Sequence, residues 1–281
     1  MADLSSLLEA RYGITTGTAD LDTSTTLPPN AAATLETLLQ HKSVRHFLPT
    51  PLPPSTLPLL IAAAQSAATS SNLQTWSVVS LTDPARKAAA AALCGAQDFI
   101  RAAPLLLVFC ADLSRLTAAS AAHGTPGAGL RFAEMYTMAA LDAALAGQNA
   151  AVAAEALGLG ACYVGAARNR PRELAGLLAL PPRVVALFGL AVGAPDPARP
   201  AEVKPRLPPR EVLHEETWDD GAQTENFAAY DETLAGFNAR QGRGDAPTWT
   251  YRSAHRIATV ESLHGRDILR QVLEERGFDM R

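Results

Sequence analysis

With 281 residues, 48% of them apolar and many of those alanine, the chain is long enough to bury a full core, and its composition argues for packed helices over disorder or a fibre. A formal net charge of −4 gives no reason to expect a nucleic-acid partner, which needs a basic face. Cys94, Cys110 and Cys162 stand far apart in apolar settings with no Cys-x-x-Cys, which suits reduced thiols in a cytoplasmic protein.

Residues 1–30 are weakly patterned and read as an N-terminal arm, with a Thr/Gly/Asp loop from Thr15 to Thr26. The first residues show no basic region leading into an apolar one, so no secretory signal is read there. Ala31 to Gln40 has helical spacing at Leu35, Leu38 and Leu39. Next comes His41-Lys42-Ser43-Val44-Arg45, followed by a proline-rich break at Pro49 to Pro54. Prolines push their neighbours to extended geometry, and in an extended chain His41, Ser43 and Arg45 share one side. Two potential cations and a hydroxyl suit a phosphate or a polarised carbonyl edge. A basic edge strand with a solvated face accounts for the same spacing.

Ser55 to Ala68 predicts a helix with Leu59, Leu60, Ala63 and Ala67 on its inner face. The run Thr69-Ser70-Ser71-Asn72-Leu73-Gln74 is either a helix end capped by Asn72 or a neutral hydrogen-bonding loop over a ligand. Val78 to Leu81 is a short strand, Asp83-Pro84 opens a helix as N-cap and first residue, and Leu105 to Cys110 is a central strand. The polar stretch after Asp112 ends in a glycine-rich flexible loop near Gly124 to Gly129.

Leu130 to Leu157 predicts one long helix, apolar or small nearly all round. It is either the core helix of a monomer or one that packs closely against a second copy. Gly158-Leu159-Gly160 follows the helix and precedes a strand, the reverse of the dinucleotide fingerprint, so that reading is rejected. Val184 to Val192 is another central strand. In the proline-rich segment beyond it, Lys204 and Arg206 sit two apart and share a side, as a second grip on an anion or as solvated linker charges. A helix over Tyr230 to Phe237, a basic loop from Arg240 to Asp245 and a closing helix over His264 to Arg276 complete the chain. The longest apolar runs fall short of the about 20 residues that a membrane helix takes, so no membrane partner is read. Metal-ligand, hydrolase and phosphate-loop motifs are absent from the sequence, and no catalytic acid, base or nucleophile stands out. Chemistry is therefore assigned to a bound cofactor.

Four stretches occur together and in order: residues 41–45, 69–74, 158–166 and 204–208. With Gly95-Ala96-Gln97 and Leu187-Phe188-Gly189-Leu190, the set resembles the nitroreductase family, most closely its oxygen-insensitive NADPH nitroreductases and NADPH-flavin oxidoreductases. The resemblance implies an α+β fold: a central mixed, mainly antiparallel sheet flanked by helices, in an FMN-binding domain over 31–281 with a C-terminal helical excursion. It also implies an intertwined homodimer. By it, His41, Ser43, Lys204 and Arg206 hold the phosphate and ribityl end of FMN, Lys42 contributes mainly its backbone, and Arg45 approaches the N1/O2 edge of the ring. Gln97 bonds the pyrimidine edge, the backbone of Tyr163, Val164, Gly165 and Ala166 meets O4 and N5, and Thr69, Ser70, Ser71 and Asn72 line the partner's site. Arg240, with Arg243, meets the 2′-phosphate of NADPH, with NADH as the other possible donor. Lys42, Thr69 and Ala166 depart from the family's usual arginine, serine or proline, and glycine. The implied activity is FMN-dependent NAD(P)H oxidoreduction, a ping-pong two-electron transfer to a small nitroaromatic, quinone or flavin acceptor. The alternatives are a flavin enzyme dedicated to one metabolite, a reductase or dehalogenase, and a flavin-binding sensor without turnover.

Overall fold

The computed structural model describes residues 4–13 and 28–281, so the loop expected at Thr15 to Thr26 lies outside the described residues. The chain forms two compact units, Met1–Lys42 with Glu202–Leu263, and Ser43–Ala201 with His264–Arg281. The smaller unit begins with α1 (Leu4–Tyr12) and α2 (Pro29–Leu39). The larger unit runs through α3 (Thr56–Gln65), β1 (Trp76–Leu81), α4 (Pro84–Leu93), α5 (Asp98–Ala102), β2 (Leu105–Asp112) and α6 (Ser114–Ala122). It continues with α7 (Ala133–Ala156), β3 (Gly160–Val164), α8 (Pro171–Leu177) and β4 (Val184–Gly193). α9 (Gln223–Arg240) and α10 (Trp249–Arg256) belong to the smaller unit, and α11 (Leu269–Glu275) to the larger.

The sheet order is β1-β2-β4-β3, and every pair of these strands is antiparallel. A parallel bridge from Ser43 to Ala161 makes the sheet mixed. β2 is buried along its whole length, which is why it reads as an unbroken apolar run. Its alternation divides the core: Leu106, Val108 and Cys110 pack with residues of α4, α5 and α8, while Leu105, Leu107 and Phe109 pack with residues of α3 and α7. The helices thus cover both faces, as the resemblance implies.

Asp83 caps α4 as expected, accepting from the Arg86 amide at 2.8 Å, with Pro84 at the first helical position. In α3 the inner face is Leu60 and Ala64, whereas Leu59 is exposed. Asn72 caps no helix: α3 ends at Ser66, and Asn72 closes a separate 3-10 turn. α7 is less enclosed than its composition implies, since Leu141 and Leu145, one turn apart, are 60% and 46% exposed. α6 and α10 occupy stretches where no helix is expected from the sequence. Among the described residues no helix is long and apolar enough to cross a membrane.

One glycine decides where the site lies. A Cβ on Gly160 would meet the Val44 Cβ at 2.7 Å, inside any tolerable contact, so the 43–45 segment can lie along β3 only because position 160 has no side chain.

Candidate functional site

The 43–45 segment is held to β3 by its backbone, the Val44 amide donating to the Ala161 carbonyl at 3.0 Å. Val44 is 5% exposed, while Ser43 and Arg45 on either side of it are exposed, as alternation in an extended chain requires. The Arg45 guanidinium lies 6.0 Å from the centre of the Phe99 ring, a cation–π distance that orients the side chain without using its donor fork. Its charge also reaches Cys162: burial pushes that thiol up, and Arg45 opposes the push.

β3 delivers the next group. Val164 is buried and has only backbone to offer a ligand, while Tyr163 on the opposite side is exposed. The Tyr163 hydroxyl donates to Gln148 Oε1 at 3.3 Å, and burial, then the charge of Glu155, pushes its pKa up to about 12. The strand runs directly into a 3-10 turn, Gly165–Arg168. The leading amides of such a turn have no acceptor within it, so Gly165 and Ala166 present N–H groups suited to a ligand's carbonyl or ring nitrogen. The 95–97 loop borders this turn, because a Cβ on Gly95 would sit 3.8 Å from the Ala166 Cβ. Gly95 and Ala96 are both left-handed, which turns the chain sharply before Gln97. Gln97 donates its side-chain amide to the Cys94 carbonyl at 2.9 Å, so it offers a ligand its own carbonyl oxygen.

Ser43 and Arg45 therefore lie along β3, with Ser43 opposite Ala161 and the charge of Arg45 reaching Cys162, while the 95–97 loop borders the turn that follows the strand's end. The groups offered are a cation, backbone amides and a hydroxyl as donors, and an amide oxygen as acceptor. They fit a planar, electron-accepting ring with carbonyl and nitrogen edges.

Thr69–Asn72 belong elsewhere in the larger unit. Their anchor is Asp142 of α7, a carboxylate only 2% exposed. It accepts from the Thr69 hydroxyl at 2.6 Å, the Ser70 amide at 3.2 Å, and the Thr75 amide and hydroxyl at 3.0 and 2.8 Å. Burial pushes its carboxyl up, but these four bonds more than offset it and hold the group below its ordinary value. The loop they fasten is strained, with Ser71, Asn72 and Gln74 at φ 48°, 56° and 51°. It presents Ser70, Ser71 and Asn72 to the exterior. In the sequence Asp142 is merely a polar exception in an apolar helix; its spacing from Thr69 and Thr75 gives no hint of the contact.

In the smaller unit Lys204 and Arg206 are exposed on either side of buried Pro205, so they do share a side. His41 is half-buried and Lys42 exposed. A residue with no sequence signal, Arg11 of α1, donates to the carbonyls of both His41 (2.9 Å) and Lys204 (3.1 Å). Arg240 is the last residue of α9 rather than part of a loop, and it lines a cavity with Glu9, Thr233 and Glu232. Arg243 follows in the exposed turn, its amide bonded to the Asn238 carbonyl at 2.8 Å.

Burial pushes the Cys94 thiol up to about 11, and burial together with Asp112 pushes Cys110 up to about 12, so neither is a nucleophile at neutral pH. Among the described residues no three His, Cys, Asp or Glu side chains come together as a metal site.

Known proteins resemble this chain over most of its length. The nitroreductase family profile matches residues 38–193, and that of the family's C-terminal domain matches residues 204–281. An FMN reductase (NADPH) of Bacillus subtilis (strain 168) is 36% identical over 252 residues, covering 88% of this chain and 98% of its own. An oxygen-insensitive NADPH nitroreductase of Salmonella typhimurium is 38% identical over 218 residues, covering 77% of this chain and 88% of its own. Among solved structures, the NADPH:FMN oxidoreductase from Vibrio harveyi complexed with NAD+ superimposes with a TM-score of 0.79 at 31% identity, covering 89% of this chain and 100% of that one.

Proposed function

The chain belongs to the nitroreductase family, and on that footing we propose that it is an FMN-dependent NAD(P)H oxidoreductase. The observation that carries this reading is the set of polar groups along β3: exposed Ser43 and Arg45 on the segment bridged to the strand, and the Gly165–Arg168 turn at its end with the 95–97 loop beside it. FMN, once bound, supplies two-electron chemistry between a reduced pyridine nucleotide and a small acceptor such as a nitroaromatic, a quinone or a free flavin. Arg45 would hold positive charge near the ring edge that becomes electron-rich on reduction, and the Gly165 and Ala166 amides would bond its O4 and N5. His41, Lys204 and Arg206 of the smaller unit are assigned to the cofactor's phosphate. Lys42, exposed next to His41 in the chain, is assigned a backbone contact. No side chain is required as acid or base, so donor and acceptor take turns at one surface and the kinetics are ping-pong.

The test is the visible spectrum of the purified protein before and after anaerobic addition of NADPH. The expected result is a flavin spectrum that bleaches promptly. A colourless protein that FMN does not reconstitute would remove the reading. Parallel initial-rate lines over both substrates are expected, and convergent lines would replace the ping-pong order. NADPH is the proposed donor through Arg240 and Arg243. Glu9 and Glu232 line the same cavity as Arg240, and NADH remains the other possible donor. A kcat/KM for NADH equal to that for NADPH would take both arginines out of that role.

We also propose a homodimer. Leu141 and Leu145 form an exposed apolar step on α7, and Phe132, also exposed, precedes the helix. A second copy of the chain covers this step, and the Thr69–Asn72 loop lines the site of that copy. Replacing Leu141 and Leu145 together with aspartate is expected to shift the protein from dimer to monomer in sedimentation velocity; an unchanged sedimentation coefficient would move the interface elsewhere. Free, buried Cys94, Cys110 and Cys162 favour a reducing compartment, so the cytoplasm is the proposed location.

A further inference from the structure

We propose that Arg11 is the positioning residue of the phosphate-binding cations in the smaller unit, with Tyr230 as its second support. The segment that carries Lys204 and Arg206 cannot position itself. It belongs to no helix or strand, and Pro205, Pro208 and Pro209 lack the amide hydrogens that a ladder needs. What fixes it is a row of three backbone contacts. The Lys204 carbonyl accepts from Arg11 Nη1 at 3.1 Å, the Pro205 carbonyl accepts from the Tyr230 hydroxyl at 2.8 Å, and the Arg206 amide donates to the Arg11 carbonyl at 2.9 Å. With the backbone held at these points and Pro205 turned inward, Lys204 and Arg206 must both turn outward.

The same guanidinium holds the other basic segment. Arg11 Nη2 donates to the Leu39 carbonyl at 2.6 Å and to the His41 carbonyl at 2.9 Å. Arg11 is itself only 6% exposed, so it does not meet a ligand. It is a rigid fork joining the ends of two chain segments, each of which bears cations that sequence reasoning assigns to one anion. A lysine in its place would keep the charge but has no planar fork to span three carbonyls. The α1 helix thus carries the clamp that joins the two basic segments.

This inference rests on the reading of His41, Lys204 and Arg206 as phosphate ligands, and the test separates the two. The full-length protein is stripped of flavin and titrated with FMN and with riboflavin, which lacks the phosphate, following flavin fluorescence. Lys204→Gln is expected to weaken FMN by about tenfold and leave riboflavin unchanged, as loss of a charge-assisted bond predicts. Arg11→Lys is expected to do the same, although it removes no charge and touches no ligand. Tyr230→Phe, which deletes one hydroxyl and no charge, is expected to give the same selective loss at roughly threefold. It keeps the proposal testable if Arg11→Lys does not fold. If Lys204→Gln discriminates FMN from riboflavin but Arg11→Lys and Tyr230→Phe weaken both equally or neither, the clamp is merely structural and the inference is overturned. If Lys204→Gln itself does not discriminate, the phosphate assignment falls and the inference falls with it.

Discussion

Replacing Asp142 with alanine is expected to lower the stability of the folded chain by about 3 kcal/mol or more, because a buried acceptor of four hydrogen bonds disappears while its donors stay behind. The Thr75 amide and hydroxyl suffer most, since Thr75 is fully buried and has no water to turn to. For a chain of this size that loss corresponds to a fall of roughly 6–12 °C in the unfolding midpoint. A second loss follows from strain. Ser71, Asn72 and Gln74 are held in left-handed geometry, and with the anchor gone that cost is met only by the loop's own bonds and by Arg115 on the Gln74 carbonyl, so the Thr69–Thr75 loop is expected to become the first protease-sensitive point of the larger unit. The pH dependence has a definite sign. The Asp142 carboxyl is held below its ordinary value in the folded state, so its contribution is full above the unfolded pKa of about 3.9 and is lost as pH falls through the lower folded value. Asp142→Asn, isosteric but uncharged, is expected to lose most of the neutral-pH stability and to lack this acid-dependent component. Thermal unfolding at neutral pH and in acid measures both effects, and an alanine variant that melts within a degree or two of the native chain would refute the anchor.

The sheet and the long helix α7 are legible in the sequence because local pattern decides them, whereas of α9 only Tyr230 to Phe237 is. Leu105 to Cys110 and Val184 to Val192 are continuous apolar runs, and both are central strands in the structure. Asp83-Pro84 carries its own capping chemistry, and α4 starts there. The site was legible in part for the same reason: Ser43 and Arg45 flank buried Val44, and Lys204 and Arg206 flank buried Pro205, by the alternation of an extended chain. What local pattern could not reveal depends on partners far along the chain. Arg11 acts on Lys204, 193 residues away, and Asp142 acts on Thr69 and Thr75 from another element. α10 is polar and short, and its start is fixed by Thr248 capping Tyr251 together with Asp231 holding Thr250, a contact between helices. Burial on α7 is not legible in its sequence, because apolar composition does not say which protein covers a face; Leu141 and Leu145 are apolar and exposed within one chain.

Arg45→Ala is expected to weaken FMN binding by about 10- to 100-fold, since a charge-assisted hydrogen bond is worth roughly 1.5–3 kcal/mol. The same change is expected to make the bound flavin harder to reduce. Two-electron reduction leaves negative charge on the ring edge, a neighbouring cation stabilises that state, and removing it lowers the midpoint potential. Folding is not expected to suffer, because Arg45 is exposed and its aromatic neighbour Phe99 lies 6.0 Å away, a contact worth at most about 1 kcal/mol at such a site. This separation of effects gives the prediction its force: the affinity and the potential move while the unfolding midpoint of the flavin-free protein stays in place. Arg45→Lys refines it. An ammonium keeps the charge but loses the planar fork, so the potential is expected to recover more fully than the affinity, which depends on donor geometry as well as charge. Titration with FMN and a spectroscopic redox titration against a dye of known potential measure the two quantities separately. If Arg45→Ala leaves both unchanged, Arg45 is a solvated edge-strand cation and the ring must be sought elsewhere along β3. If affinity falls without a change in potential, Arg45 holds the flavin at a point remote from the edge where charge accumulates.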